Sequence, residues 1–90
     1  MGELDFQEKV INGFVRILEN SLAKWAKLGS LPPSIYDGLS RAANLLIKNS
    51  YNPRKVNELM GFIARNANKP LSEKIEKEIM RLKREIENTN

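Results

Sequence analysis

Four stretches of this sequence repeat their apolar residues at the spacing of an α-helix, and a break that contains proline separates each stretch from the next. No stretch alternates apolar and polar residues as a half-buried β-strand would. On a helix, the apolar residues of the first stretch fall within an arc of about 100°, which is one face of a long amphipathic helix. These residues are Leu4, Ile11, Phe14, Val15, Leu18, Leu22 and Trp25. The pattern predicts an all-α protein.

Signals for the start and end of a helix predict four helices, over residues 4–28, 34–49, 53–67 and 71–88. Gly29 suits the left-handed conformation that often ends a helix. Ser34, with an acidic residue three positions later, resembles a capping box at the start of the second helix. Asn52 followed by Pro53 supplies an N-cap and a proline at the first position of the third. Because the connections are short, we expect two αα-hairpins packed as a four-helix bundle, in a single domain over residues 1–90.

The net charge of +4 is concentrated in the middle of the chain. Residues 24–69 carry eight basic and two acidic side chains, a difference of +6. Residues 1–23 carry two basic and four acidic side chains, and residues 70–90 carry five of each sign. A local positive field favours polyanions or acidic protein surfaces as partners. A mildly basic surface also serves solubility alone, so both interpretations stay open.

Cysteine and histidine are absent from the sequence. Their absence excludes disulfides, thiol nucleophiles, imidazole acid–base chemistry and most transition-metal sites. The acidic residues alternate with lysines on charged helix faces, which is typical of groups exposed to solvent, and the sequence has no glycine-rich phosphate loop. The sequence therefore predicts a binding protein and not an enzyme, with no cofactor, no metal site and no small-molecule substrate.

The start of the chain is acidic and polar, unlike a secretory signal peptide. No apolar run approaches the roughly 20 residues that span a bilayer. An amphipathic helix lying on a membrane surface is also disfavoured, because the bundle would bury the apolar faces itself. We expect a soluble cytoplasmic protein without a membrane partner.

A basic flank on the third predicted helix is the first candidate binding site. Lys55, Phe62 and Lys69 are spaced by sevens, and Arg54 and Arg65 lie nearby. Phe62 falls about 120° from the centre of the apolar stripe, so the bundle need not bury it. A basic flank around an aromatic ring could hold a phosphate backbone and stack a base. It could also dock an acidic, hydrophobic peptide, or Phe62 could pack under a loop or another helix.

The second predicted helix carries two further basic candidates, Arg41 and Lys48, seven residues apart on one flank. Gly38 and Ala42, four residues apart, would let another helix approach closely, either inside the bundle or at an interface.

Trp25, between Lys24 and Lys27, lies at the edge of the first apolar stripe. A tryptophan at such a rim is typical of a binding hot spot, although a half-buried core position fits the same pattern. These three residues complete the set of candidate partner-binding or nucleic-acid-binding residues.

The order of short motifs and breaks between about Val15 and Glu87 resembles a family of small archaeal helical proteins. The motifs are residues 15–19 (VRILE), 31–34 (LPPS), 41–43 (RAA), 52–53 (NP), 63–66 (IARN) and 69–71 (KPL). A protein of this size and type is also associated with the archaeal B-family DNA polymerase, as a small accessory subunit of its holoenzyme. The chain departs from the pattern at residues 22–28, which lengthen the first helix. The resemblance implies a non-catalytic subunit whose partner is a polymerase catalytic subunit.

Two hypotheses follow for the function. The first is an accessory protein-interaction subunit of a DNA-handling complex. The alternative is a stand-alone helical protein that binds nucleic acid through the basic middle segment. Only a few of its eight basic side chains could reach one duplex, so this contact would be weak near physiological salt.

Overall fold

The computed structural model describes residues 3–49 and 52–88. These residues form four α-helices, α1 (Glu3–Leu28), α2 (Pro33–Lys48), α3 (Pro53–Asn66) and α4 (Glu73–Glu87), and include no β-strand. The predicted all-α, four-helix architecture is confirmed. Helix α1 packs against α2, α3 packs against α4, and α2 packs against α3, while α1 and α4 have the smallest contact. The two αα-hairpins therefore associate mainly through the two middle helices.

A single apolar core passes through all four helices. Its side chains recur at the helical spacing that the sequence predicts, so each helix turns one face inward. Burial of this apolar surface is the main stabilising contribution to such a fold. The fully buried side chains are Phe14, Leu18, Trp25, Leu39, Leu46, Val56, Leu59, Ile63, Ile79, Leu82 and Ile86.

The connection between α1 and α2 agrees with the sequence at one end and differs at the other. Gly29 has a φ angle of 82° and its N–H donates to the carbonyl of Trp25 at 2.9 Å, which confirms it as the residue that ends α1. The prediction that Ser34 caps α2 is wrong. The helix begins one residue earlier, at Pro33, whose fixed φ suits a first helical position, and Pro32 is the N-cap.

Helices α3 and α4 are both capped by side chains. The side-chain oxygen of Asn52 accepts from the N–H of Lys55 at 3.3 Å, which confirms the predicted start of α3. The hydroxyl of Ser72 accepts from the N–H of Ile75 at 3.2 Å. Because Ser72 is this N-cap, α4 begins at Glu73, two residues later than the sequence predicts.

Two hydrogen bonds join the hairpins at the end of the bundle where α1 stops. The indole N–H of Trp25 donates to the carbonyl of Lys69 at 2.7 Å. The backbone N–H of Leu31 donates to the carbonyl of Ala67 at 2.8 Å. Both acceptors lie in the segment that connects α3 to α4, so the two hydrogen bonds hold that segment against the end of α1.

Candidate functional site

The structure separates the candidate residues of the third helix. Phe62 is half-buried against the core and lines a groove between α3 and α4 together with Lys69. Lys55 is instead engaged with α4, since its Nζ lies 2.7 Å from Oε1 of Glu85. Arg54 and Arg65 are exposed but do not line the groove. The predicted basic flank around an exposed aromatic ring is therefore not assembled as the sequence suggested.

Ion pairs compensate much of the charge along α4 and at its contact with α3. Arg81 donates to both carboxylate oxygens of Glu78, at 2.6 and 2.9 Å, and to Glu85 at 2.5 Å. The hydrogen bond from Lys55 lowers the pKa of the Glu85 carboxyl and, reciprocally, raises the pKa of Lys55. The hydrogen bond from Arg81 likewise lowers the pKa of Glu78. These shifted groups hold one another, which is the arrangement of a structural ion-pair network.

The lining of the α3/α4 groove carries charges of both signs. Its described lining carries five basic and three acidic side chains beside Phe62. Such a surface attracts neither a polyanion nor a polycation strongly. It is a poor candidate for the main binding site.

Of the two interpretations that the sequence left open for Trp25, a binding hot spot and a core position, the structure supports the core position. Its side chain is fully buried, and its indole N–H is already bonded to the carbonyl of Lys69. Lys24 and Lys27 on either side of it are exposed. The neighbouring lysines therefore remain candidates, while the tryptophan belongs to the core.

A second groove, between α1 and α2, is lined by exposed apolar side chains. Phe6 and Ile17 on α1 and Leu45 on α2 are 53%, 38% and 48% exposed. They are three of the four exposed large apolar side chains among the described residues. Val10 and Ala42 extend this apolar lining. A smaller cavity that shares Ile17 and Gly38 with this groove continues it along α1 as far as Lys24. We call the two parts together the α1/α2 groove.

Two glycines deepen the α1/α2 groove. A methyl group added at Gly13 or at Gly38 would meet no heavy atom within 4 Å outside its own helix backbone and chain neighbours. The sequence suggested close helix packing at Gly38, but the structure leaves open space there. Each glycine thus forms a notch that a side chain from another molecule could enter.

The charge of the α1/α2 groove is of one sign. Over both parts of the groove, the lining that the structure describes contains three cations and no carboxylate. The cations are Lys9, Lys24 and Arg41.

Further basic residues belong to the same side of these helices. At about 100° per residue, Arg16 and Lys27 fall on the side of α1 that carries Lys9, and Lys48 lies beside Arg41 on α2. Arg16, Lys27 and Lys48 are exposed. The structure thus places two predicted candidates, Lys24 and Arg41, in the lining of the α1/α2 groove. Lys27 and Lys48 are exposed outside this lining, on sides of α1 and α2 that also carry the exposed Asp5 and Asp37.

Comparisons of the chain with protein-family models, with curated proteins and with solved structures found no match. The candidate site therefore depends on its own geometry and charge. In the described part of the chain, no helix combines the length and the apolar character needed to cross a membrane.

Sequence reasoning missed Phe6, Gly13, Ile17 and Leu45 as members of a site. A signal was present, because Phe6 and Ile17 fall outside the main apolar stripe of the first helix, as Leu45 does on the second. An apolar residue away from the stripe is either covered by a neighbouring element or left for a partner. The periodicity of a single helix does not distinguish these outcomes.

Proposed function

We propose that this protein is a non-catalytic accessory subunit that binds a protein partner of a DNA-handling complex through the α1/α2 groove. The observation that carries the proposal is the exposure of Phe6, Ile17 and Leu45 in this groove. The charged residues in its described lining are all cations. Exposed apolar groups rimmed by polar ones are typical of protein-interaction surfaces. The resemblance described above suggests one such complex, the archaeal B-family DNA polymerase holoenzyme, with its catalytic subunit as the partner.

The size of the apolar contribution favours a protein partner over DNA. Fully burying one large apolar side chain is worth about 1.5–3 kcal/mol. Three side chains that are about half exposed could therefore contribute roughly 2–4 kcal/mol to binding a partner that covers them. A phosphate backbone covers no such groups and gains its affinity from charge, which salt screens.

Stand-alone binding of nucleic acid is the second candidate function. The observation in its favour is the set of three cations, Lys9, Lys24 and Arg41, in a described lining without a carboxylate. Each phosphate contact would add about 0.9 to the slope of log affinity against log salt. This function predicts measurable, strongly salt-dependent binding of duplex DNA by the purified chain alone.

Affinity purification from native cells tests the proposal. A tag at the C-terminus would be used, because Phe6, close to the N-terminus, lines the groove. We expect wild-type protein to recover a DNA-handling enzyme in near-stoichiometric amount. Leu45→Glu should lose that enzyme, since it places a charge in the apolar lining while remaining at an exposed position. Equal recovery by both proteins, or no DNA-handling partner with either, would contradict the proposal.

The DNA alternative is tested with the purified chain in the same study. We expect negligible binding to duplex DNA at roughly 150 mM salt. Tight binding that weakens steeply with salt, and that Leu45→Glu affects only slightly, would favour the alternative.

A further inference from the structure

We propose that the occupant of the α1/α2 groove is an amphipathic helix of the partner, with acidic flanks and an apolar face that enters the notches at Gly13 and Gly38. This inference rests on the proposed function, because it specifies the chemistry of the protein partner. Four features of the groove support it: its length, its charge, its notches and its exposed apolar side chains.

The length of the groove suits a helix. Its α1 side is lined from Phe6 to Lys24, and eighteen residues at 1.5 Å each correspond to about 27 Å. Phe6 and Ile17 are eleven residues apart, which places them about 16 Å apart along the helix axis. A single tight turn could not contact both, whereas about three turns of a helix span that distance. A helix of about 18 residues, with apolar residues repeating over its turns, could lie along the groove and reach each of them.

The charge of the groove requires an acidic partner. Lys9, Lys24 and Arg41 are distributed along its length, and the described lining residues include no carboxylate to neutralise them. Glutamates or aspartates on the flanks of the docked helix would complement these cations. A second copy of this chain docked groove to groove would instead oppose cations with cations. The charge pattern therefore disfavours a symmetric dimer through this surface.

The notches at Gly13 and Gly38 have no role in the packing that the structure shows. Glycine destabilises the interior of a helix relative to alanine. A methyl group at either position would meet no heavy atom within 4 Å beyond the helix itself, so no packing contact requires glycine. Space for a protruding side chain of a docked helix gives both glycines a purpose. A flat membrane surface or a DNA backbone would leave such notches unfilled.

A model peptide of defined sequence provides the probe. It is a fluorescein-labelled peptide of about 18 residues, with leucines at helical spacing and glutamates at all the remaining positions. A matched peptide carries lysine in place of each glutamate. Fluorescence anisotropy with the full chain should show binding of the glutamate peptide that weakens with added salt. The lysine peptide should bind at least about tenfold more weakly, as expected when like charges meet.

Two variants test the site itself. Gly13→Leu combined with Gly38→Leu fills the notches, and should weaken the glutamate peptide by at least about tenfold without lowering the thermal midpoint of the protein. Lys9→Glu combined with Arg41→Glu should reverse the preference, so that the lysine peptide binds better. The matched control is Lys74→Glu with Lys77→Glu on α4, which changes the net charge equally and should leave the preference intact.

Several results would overturn this docking mode. They are equal binding of the two peptides, an unchanged affinity in the glycine variant, or a concentration-dependent dimer that the glycine variant abolishes. Displacement of the glutamate peptide by low concentrations of duplex DNA or phosphatidylserine vesicles would assign the groove to those ligands instead.

The two proposals fail in different ways. If affinity purification recovers the DNA-handling partner equally with wild type and with the glycine variant, the subunit role stands and this docking mode is wrong. If the peptides behave as expected but no DNA-handling enzyme is recovered, the docking mode stands and the proposed function is wrong.

Discussion

The side chain of Trp25 stabilises the fold in two separable ways. Its ring is fully buried, and its N–H donates to the carbonyl of Lys69 at 2.7 Å. Trp25→Phe keeps much of the apolar burial but removes the donor of a partly buried hydrogen bond and some ring volume, so we expect a loss of about 1–3 kcal/mol in the free energy of unfolding. Trp25→Ala should cost roughly 3–5 kcal/mol because it also leaves a cavity. Urea denaturation followed by circular dichroism measures both.

Leu28 provides the control at the same end of α1. It is 58% exposed, so Leu28→Ala should change the free energy of unfolding by no more than about 0.5 kcal/mol. If Trp25→Phe were as stable as the wild type, the hydrogen bond to Lys69 would have no net value. The sequence placed Trp25 at the edge of a stripe, where burial depends on whether a distant segment covers it. That segment is the connection around Lys69, 44 residues away.

At the scale of the element, the N-caps of α3 and α4 give a paired prediction. Asn52→Ala and Ser72→Ala each remove a side-chain acceptor from the first turn of a helix and should cost about 1 kcal/mol of stability. Ser34→Ala is the matched control, because α2 begins at Pro33 and its N-cap is Pro32. It should be close to neutral by urea denaturation. A cost for Ser34→Ala equal to that for Asn52→Ala would show that α2 starts as the sequence suggested.

The ion pair between α3 and α4 predicts how stability depends on pH. The hydrogen bond from Lys55 lowers the pKa of Glu85 below its usual 4.5, so the stability it supplies is complete above about pH 4.5 and is lost as pH falls through the lowered value. Lys55 has a raised pKa, so its contribution is complete below about pH 10.5 and is lost at higher pH. Glu85→Gln should therefore reduce the loss of stability between about pH 7 and pH 3.

Urea midpoints at the two pH values measure this effect. Glu8→Gln, an exposed position on α1, is the control and should lose stability on acidification as the wild type does. An unchanged acid dependence in Glu85→Gln would mean that the pair contributes nothing in solution, which is common for exposed ion pairs.

The helices could be predicted from the sequence because the spacing of apolar residues within each helix identifies its buried face. Leu39 and Leu46 on α2, for example, repeat at the helical period and are both fully buried. The exposure of Leu45, between them in sequence, depends on which flank of α2 its neighbours cover. The notches at Gly13 and Gly38 likewise depend on how α1 and α2 pack against each other, which leaves space beside both glycines. The fold was therefore predictable and the α1/α2 groove was not.

At the scale of the whole molecule, one core and the two bonds at the end of α1 join the hairpins into a single unit. Trp25 and Leu31 belong to the first hairpin and its connection, whereas their acceptors, Lys69 and Ala67, follow α3. Neither hairpin can therefore unfold without exposing core residues of the other. We expect cooperative two-state unfolding, as is usual for single domains of this size.

The chain reports on this cooperativity through its single tryptophan. Circular dichroism follows all four helices, while the emission of Trp25 follows the junction between the hairpins. The two signals should give the same urea midpoint and slope, and calorimetry should give an unfolding enthalpy of roughly 60 kcal/mol that equals the van't Hoff value. If Trp25 emission shifted to the red at lower urea while most of the helical signal persisted, the hairpins would separate before they unfold. In that case the core would divide between α2 and α3, the helices through which the hairpins mainly associate.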